Sequence, residues 1–585
     1  MRLGRIIIKN FRRIEEADIV FDSTSFLIGA NNIGKTSVIR AIDALLTLGN
    51  DKVTADDFRL INQDERADNI EIIGYFKDIP TEIQTSTGFR GRVINGEFIY
   101  KKTYRITNLK PTITTFEHDY EITEDFAHIN TAPELIEKLN LDEQGLKSLV
   151  GKFQGNRLPD RWHLNIDGAF VINYDSPPRE IPNPGGLPSI VISKLPRLIH
   201  IPAYTNVNDI GKGDGNTLLA ECLGILFDDL ISQSSLAAGI EESLAQLQQE
   251  MAPNQEGSMI FNLCHEVNQV IGEVFPNCGI KIDPSLRNLT SVLKPQYNVS
   301  MYSNVDTNAD RQGTGLVRTG IFSILRYHSH LVLESGTTAR PLLVAFEEPE
   351  IYLHPAAANL LRDTIYSLGE SDQIICTTHS PWMIDLSKNW QSLTKMELNE
   401  DSYTFATNYG LSEATANMLQ QERELLKMIK TFDDELSRIF FTEKCIVVEG
   451  DSEVIAIKQT LSLLPPDLRR EILSKTQIIK ARGKASIIAL IKYLNALNIP
   501  YHVIHDRDQG TVGAERFNPF IAEAVGDDTR ISLLEECLEN CLGYESPSSD
   551  KPLKVYQKTL EWTDWSSIPE LWRNVIKDSF EIVEE

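Results

Sequence analysis

The sequence predicts an α/β fold in two successive parts, and three observations predict it. A strand-like Ser25-Phe-Leu-Ile28 runs into Gly29-Ala-Asn-Asn-Ile-Gly-Lys-Thr-Ser37, the G-x-x-x-x-G-K-[ST] pattern of a P-loop, and then into a helix with Val38, Ile39, Ile42, Leu45 and Leu46 on one face. Much later, the apolar run Pro341-Leu-Leu-Val-Ala-Phe346 ends in acids, Glu347-Glu-Pro-Glu350. From Glu435 onward the pattern changes to strand Cys445 to Val448, helix from Ser452, strand Thr476 to Lys480, helix Ile487 to Leu497 and strand Tyr501 to Ile504. That alternation predicts a parallel sheet.

Composition sets the outer limits. At 585 residues the chain exceeds what one hydrophobic core supports, so roughly two to four domains are expected. Its 42% apolar and 24% charged residues are ordinary for a globular protein. No uninterrupted apolar run approaches the ~18 residues of a membrane span, and Met1-Arg-Leu-Gly-Arg-Ile-Ile-Ile-Lys-Asn10 returns to charge too soon for a signal-peptide core. A cytoplasmic protein with no membrane partner is expected. The seven cysteines are scattered, and Cys537 and Cys541 lack a second ligand pair at zinc-finger spacing, so buried thiols are expected. A net charge of −26 excludes a surface that binds nucleic acid by bulk attraction. Any DNA contact must be local or metal-bridged.

In the P-loop, Gly29 and Gly34 let backbone N–H groups close around phosphate oxygens, with Asn31, Asn32 and Ser37 in the same nucleotide-binding turn. Lys35 is expected to reach the β- and γ-phosphates and Thr36 to hold Mg²⁺. The acidic strand end after Phe346 has the form of a Walker B segment. Glu347 would hold Mg²⁺ through water, and Glu348 would orient and polarise the attacking water. The next strand-like run, Gln373-Ile-Ile-Cys-Thr-Thr-His-Ser-Pro381, places His379 just past its end, within reach of a γ-phosphate.

The order of P-loop, EEPE and THSP resembles ABC-type ATPases of the DNA-repair and chromosome-maintenance group, to which the opening Ile8-Lys-Asn-Phe-Arg12 is also similar. The resemblance implies that His379 is a switch histidine and that a signature loop reaches the partner subunit's ATP. Arg311-Gln-Gly-Thr-Gly-Leu-Val-Arg318 fits that loop best, with Gly313, Thr314 and Gly315 offering a hydroxyl and backbone donors, although it departs from the usual Ser-Gly-Gly core. No Q-loop is identified. ATP binding as a dimer clamp or sensor is as compatible with these residues as turnover is.

Between P-loop and signature loop, residues around 70 to 125 alternate as strands of an antiparallel sheet, as in Glu97-Phe-Ile-Tyr-Lys-Lys-Thr-Tyr104. Pro177, Pro178, Pro182, Pro184 and Pro188 mark a loop. From about 215 to 276, Leu218, Leu219, Cys222, Leu223 and Leu226, then Ile240, Leu244 and Leu247, fall at helical spacing. These are either core helices or a helical insertion that dimerises. The expected boundaries are 1–205 and 286–425 for the two ATPase parts, 206–285 for the insertion and 435–585 for the C-terminal domain.

In that last domain, Glu449, Asp506 and Asp508 fall at the carboxyl ends of strands, where ligands of parallel sheets gather. Glu453 lies four residues after Glu449, about one helical turn or roughly 6 Å away. Two carboxylates about 6 Å apart repel by roughly 3 kcal/mol at an effective dielectric near 20, so gathering four calls for a cation. Oxygen ligands without converging Cys or His favour Mg²⁺ or Mn²⁺ over zinc, and two such ions about 4 Å apart can drive phosphodiester hydrolysis.

An acid after the first strand, Gly483-Lys484 opening a helix, and a D-x-D pair resemble the Toprim fold over roughly residues 440 to 560. Behind an ABC-type ATPase, that pairing resembles the overcoming-lysogenization-defect (OLD) family of nucleases, which includes the Gabija nuclease subunit and retron-associated effectors. The resemblance implies metal binding by Glu449, Glu453, Asp506 and Asp508, a later acid at Glu535 or Glu536, and a catalytic lysine at Lys551. It implies ATP and Mg²⁺ or Mn²⁺ as cofactors, DNA as substrate, a homodimer or higher oligomer, and anti-phage defence. A helicase-like protein, or a reverse transcriptase with noncoding RNA, is the kind of partner such systems use. His505 has no assigned role. Two other readings stay open: an ATP-gated sensor or scaffold released by a partner, and a DNA-repair ATPase with Toprim strand-breakage activity.

Overall fold

The computed structural model describes residues 1–47, 53–203 and 340–582, apart from interruptions of one to five residues, and only short pieces of 204–339. The chain divides into two compact units: Met1–His200 with Arg340–Glu350 and His354–Glu585, and Ile201–Ala339 with Ile351–Leu353. All but residues 222–224 of the expected insertion at 206–285, and the whole of the 311–318 loop with Gly313, Thr314 and Gly315, lie outside the described residues.

Among the described residues the larger unit holds two main sheets, besides a two-stranded pair of Tyr120–Ile122 with Phe170–Ile172. The first uses β1 (Arg2–Phe11), β2 (Ile14–Val20), β3 (Thr24–Ile28), β4 (Asn69–Lys77), β5 (Glu97–Arg105), β6 (Asn108–Glu117), β7 (Arg179–Pro182), β8 (Arg197–Ile201), β9 (Leu342–Glu347), β10 (Gln373–Thr377), β11 (Gln391–Leu398) and β12 (Thr404–Tyr409). A short Val93–Ile94 strand beside β5 makes thirteen, and the order is β7-β6-β5-β4-β1-β2-β12-β11-β3-β10-β9-β8.

Burial patterns explain the two characters of this sheet. Along β4 and β5 every second residue is buried, as suits an antiparallel wing with one face on the core. Along β3, β9 and β10 every residue is buried, because these strands pair in parallel with both faces covered. The helix α1 (Lys35–Leu46) lays Val38, Ala41, Ile42 and Leu45 on that core. Gly74 of β4 permits the approach, since a Cβ there would meet Leu45 Cδ2 at 2.6 Å. Lys102 of β5 is fully buried and caps the far end of α1, its ammonium donating to the carbonyls of Ala44 at 2.7 Å and Thr47 at 2.5 Å.

The run of prolines is not one continuous loop. Pro182 closes β7, which pairs with β6 at the sheet edge where a missing N–H is tolerated, and Pro188 opens the helix Pro188–Lys194.

The second sheet contains β13 (Lys444–Val448), β14 (Thr476–Lys480), β15 (Tyr501–Asp506) and β16 (Ile531–Leu534) in the order β14-β13-β15-β16, all parallel. Three of the four strands stand where the sequence places them. The helix α2 (Gln420–Phe432) leads toward this domain and packs on α4 (Lys484–Ala496), while α3 (Asp451–Ser462) follows β13. An ion pair between Lys492 and Glu422, and Lys430 set 4.2 Å over the Tyr493 ring, join α2 to α4. Beside them, Ser437 Oγ donates to the carbonyl of Pro381 at 2.8 Å. Among the described residues no helix is long and apolar enough to cross a membrane.

The C-terminal helices complete this domain's core. In α5 (Lys551–Thr559) Val555 is buried, and in α6 (Glu570–Phe580) Trp572, Ile576 and Phe580 recur at helical spacing against Ile457, Leu461 and Ile504. The Trp572 indole N–H donates to Thr460 Oγ1 at 2.8 Å. Trp572→Ala is expected to destabilise the domain by about 3–5 kcal/mol, through a large cavity and the lost indole bond to Thr460, whose hydroxyl keeps only its own bond to the carbonyl of Ala456. Urea unfolding followed by circular dichroism measures it, and a loss under about 1 kcal/mol would contradict this packing.

Candidate functional site

Two clusters form at carboxyl ends of parallel strands. The first follows from the register of β9, β10 and β3, in which Glu347 stands level with Thr377 and Thr377 with Leu27. The turns after these three strands therefore converge. They carry Glu348 and Glu350, His379, and the P-loop.

Gly29 has φ +137°, and a Cβ on it would meet the carbonyl oxygen of Met396 at 2.4 Å, so only glycine fits. Gly34, at φ +108°, caps α1. Asn31, Asn32 and Thr36 are exposed, whereas Lys35 and Ser37 are buried. The Lys35 ammonium donates to the carbonyls of Gly29 at 3.0 Å and Ala30 at 2.8 Å, and lies 2.9 Å from His379 Nε2. Burial pushes the Lys35 pKa down to about 8, against the opposing pull of Glu348 and Glu350. His379 Nε2 also lies 3.1 Å from Glu348 Oε1, and burial followed by the Lys35 charge lowers the imidazole pKa. Glu348 holds φ +43°, fixed by its N–H donating to the carbonyl of Thr377 at 2.9 Å. Glu347 is buried with His200 Nε2 3.3 Å from its Oε1.

Glu350 is a further acid of this cluster that sequence reasoning passed over. It accepts from Thr378 Oγ1 at 2.5 Å, and its other oxygen is buried without a hydrogen-bond partner. Burial raises its pKa. The repeated acid in Glu348-Pro-Glu350 was the available signal.

The second cluster lies beyond β13, β15 and β16. Val448 pairs with Ile504 and Asp506 with Leu534, so Glu449, Asp506, Asp508 and the segment after Leu534 share one end of the sheet. Glu449 and Asp506 each leave one buried oxygen, Oε2 and Oδ1, without a hydrogen-bond partner. Burial raises the Glu449 pKa to about 7, with Asp506 adding to the shift. It raises Asp506 to about 7 as well, helped by Glu453, Asp508 and Glu539. Glu453 is 5% exposed and pushed up to about 7 by the same burial, while its Oε2 accepts from the N–H of Gly450 at 3.0 Å at the start of α3.

Lys484 and Glu539 are the members that the sequence reading did not assign. Lys484 opens α4 and reaches Asp508 Oδ2 at 2.7 Å. Glu535 and Glu536 are exposed, Glu536 accepting from Asn540. The acid of that segment turned inward is Glu539, only 2% exposed, with Lys551 Nζ 3.9 Å from its Oε1. One helical turn separates Glu539 from Glu535, so a helical reading of the E-E-C-L-E run would have raised it. His505 is buried, and its Nδ1 meets the carbonyl of Asp506 at 3.0 Å.

Orphaned, buried carboxylate oxygens in a purely oxygen donor set fit a hard divalent ion. Among the described residues, however, no three Asp, Glu, His or Cys side chains already converge as a metal cage. Asp508 is taken by Lys484 and Glu453 by its helix N-terminus.

At the opposite end of β15, His502 is 3% exposed with Nε2 2.9 Å from Ser532 Oγ. Burial lowers its pKa from 6.5 to about 4. A histidine depressed on folding favours the fold fully above pH ~6.5, and that contribution fades as pH falls toward ~4, by about 3 kcal/mol in all. Wild type should therefore lose more melting temperature than His502→Gln between pH 7.5 and 4.5. Parallel pH profiles would refute this.

Comparison with known proteins fits both clusters. The family described as AAA ATPase domain matches residues 1–384, and the overcoming lysogenization defect protein-like TOPRIM domain matches residues 440–508. The chain is 24% identical over 595 aligned residues to the OLD nuclease of Thermus scotoductus, covering 98% of each chain. It is 23% identical to the Old nuclease of Escherichia phage P2, over 87% of this chain and 77% of that one. With Endonuclease GajA of Bacillus cereus it shares 22% identity over 74% of this chain and 64% of the other. With a P-loop ATPase domain and a TOPRIM domain joined in that order, the chain belongs to the overcoming-lysogenization-defect family of nucleases.

Proposed function

We propose that this protein is a nucleotide-regulated, divalent-metal-dependent DNA endonuclease that acts in anti-phage defence. ATP would bind at the P-loop in ATPase parts 1–205 and 286–425, and DNA would be cut in the 435–585 domain. The observation that carries the reading is the pair of buried, unpartnered oxygens on Glu449 and Asp506 at the end of the TOPRIM sheet. Dimerisation through the 206–285 segment and a defence-system partner belong to the same proposal.

Mg²⁺ or Mn²⁺ would be held by Glu449 and Asp506, and when bound would polarise a phosphate oxygen or its attacking water. The chain's own groups prepare the site. Lys551, beside the buried Glu539, supplies a cation for a DNA phosphate. The lowered pKa of His505, about 4, and its contact to a backbone carbonyl leave it neutral and unsuited as a base. In the ATPase cluster, the carbonyls and imidazole now around Lys35 would give way to phosphate oxygens, and Glu348, beside His379, would orient water.

A route between the clusters supports nucleotide control. The segment after His379 is tied to Ser437 just before β13, and α2 is tied to α4, whose first residue is Lys484. Purified protein is expected to nick supercoiled plasmid with Mg²⁺ or Mn²⁺, to stop in EDTA, and to change rate with ATP. Cutting undiminished by EDTA would sink the metal-dependent reading, and identical rates with and without ATP would sink the regulatory one.

A further inference from the structure

Two limbs can be distinguished within the acid cluster. On one, Glu449 Oε2 and Asp506 Oδ1 are buried with no hydrogen-bond partner. On the other, Asp508 already has a cation, Lys484, whose ammonium lies 2.7 Å from Oδ2. Lys484 is 4% exposed, so water does little to stabilise its charge.

Its position is fixed from several sides. A second bond runs from the ammonium to Asn518 Oδ1 at 3.0 Å, and the Asn518 amide donates to the carbonyl of Arg507 at 2.8 Å, inside the D-x-D turn itself. Gly483, at φ +119°, brings the chain into α4 with its N–H donating to the carbonyl of Glu449 at 3.3 Å. Asp508, at φ +54°, donates its own N–H to the carbonyl of Glu536 at 3.0 Å. Lys484 and Asp508 are thus held as a pair by the backbones of β13, β15 and the segment after β16.

We propose that Lys484 is a fixed internal cation that takes the place of a second divalent ion at Asp508, so that the cluster takes one exchangeable ion, at Glu449 and Asp506. The inference rests on the metal-dependent reading above. A second ion at Asp508 would share that carboxylate with a buried ammonium, and like charges so placed repel strongly. Removing the ammonium would instead leave the half-buried Asp508 carboxylate without its cation, a place that a divalent ion fills. Lys484 is a positioning residue here: it holds Asp508 and balances charge beside the ion.

The test is a Mn²⁺ titration of the metal-stripped full-length chain, without nucleotide, read by electron paramagnetic resonance. Ions are counted as those lost in Asp506→Asn, which separates them from any ion at the P-loop. Wild type is expected to bind one such ion. Asp508→Asn should keep the count at one with affinity within about 3-fold, against a loss beyond about 100-fold in Asp506→Asn. Lys484→Met should bind one ion more than wild type, the extra ion being lost in Lys484→Met/Asp508→Asn, and Lys484→Arg should add none. Two ions in wild type, a count lowered by Asp508→Asn, or a folded Lys484→Met that binds no more than wild type would each overturn the role of Lys484. Should Lys484→Met fail to fold, the Asp508→Asn count decides alone. No ion lost in Asp506→Asn would overturn the metal-dependent reading itself.

Discussion

Asp506→Ala is expected to lower plasmid nicking by about 1,000-fold or more, equivalent to roughly 4 kcal/mol of transition-state stabilisation. The position explains the size. Asp506 ends β15 between β13 and β16, with one carboxylate oxygen buried and unpartnered beside Glu449. Removing it takes away a candidate ligand that no neighbouring side chain in this register replaces. Stability should move the other way. Burial and nearby acids raise the Asp506 pKa to about 7, so in metal-free buffer at pH 8 the folded protein carries a charge that its surroundings oppose. Alanine relieves that charge, and the melting temperature of the metal-free variant should equal or exceed that of wild type. Lost cutting with a retained melting temperature separates a site effect from unfolding. A variant that nicks at the wild-type rate would remove Asp506 from the site.

Lys35→Ala should weaken ATP binding by about 100-fold or more, close to 2.7 kcal/mol, measured by calorimetry or a fluorescent ATP analogue. The Lys35 ammonium is buried among carbonyls and an imidazole, and its pKa of about 8 shows how incompletely these compensate its charge. A polyphosphate would compensate it fully, which is why the charge contributes so much to nucleotide affinity. Nicking by this variant should also lose its response to added ATP. Tight ATP binding without Lys35 would show that the P-loop holds nucleotide by other groups. Normal ATP response without measurable binding would place the regulatory nucleotide elsewhere.

Much of this was legible from local sequence. The P-loop was readable because its glycines answer a backbone requirement: Gly29 stands at φ +137° against the carbonyl of Met396. The strands β9, β10 and β13 were readable because burial on both faces demands apolar runs, and β15 because Tyr501, Val503 and Ile504 carry the same signal around its two histidines. β16 and the helices α5 and α6 were not assigned. The run Ile531-Ser-Leu-Leu534 is short, its first three residues are only partly buried or exposed, and Asp527 and Asp528 precede it. Pro182 and Pro188 read as loop because proline usually breaks elements, yet an edge strand and a helix start each tolerate it.

By itself the sequence determined the nature of both clusters: a phosphate-binding turn, an acidic strand end, and carboxylates at the ends of parallel strands. Those follow from nearest-neighbour chemistry along the chain. Only the tertiary structure decided how the acids are divided. Lys484 lies 24 residues before Asp508 and Glu539 lies 31 after it. It is the parallel register of β14, β13, β15 and β16 that brings them to one end of the sheet. Burial there turns a solvated charge into one that must find a partner, and the partner is set by which backbone ends lie side by side.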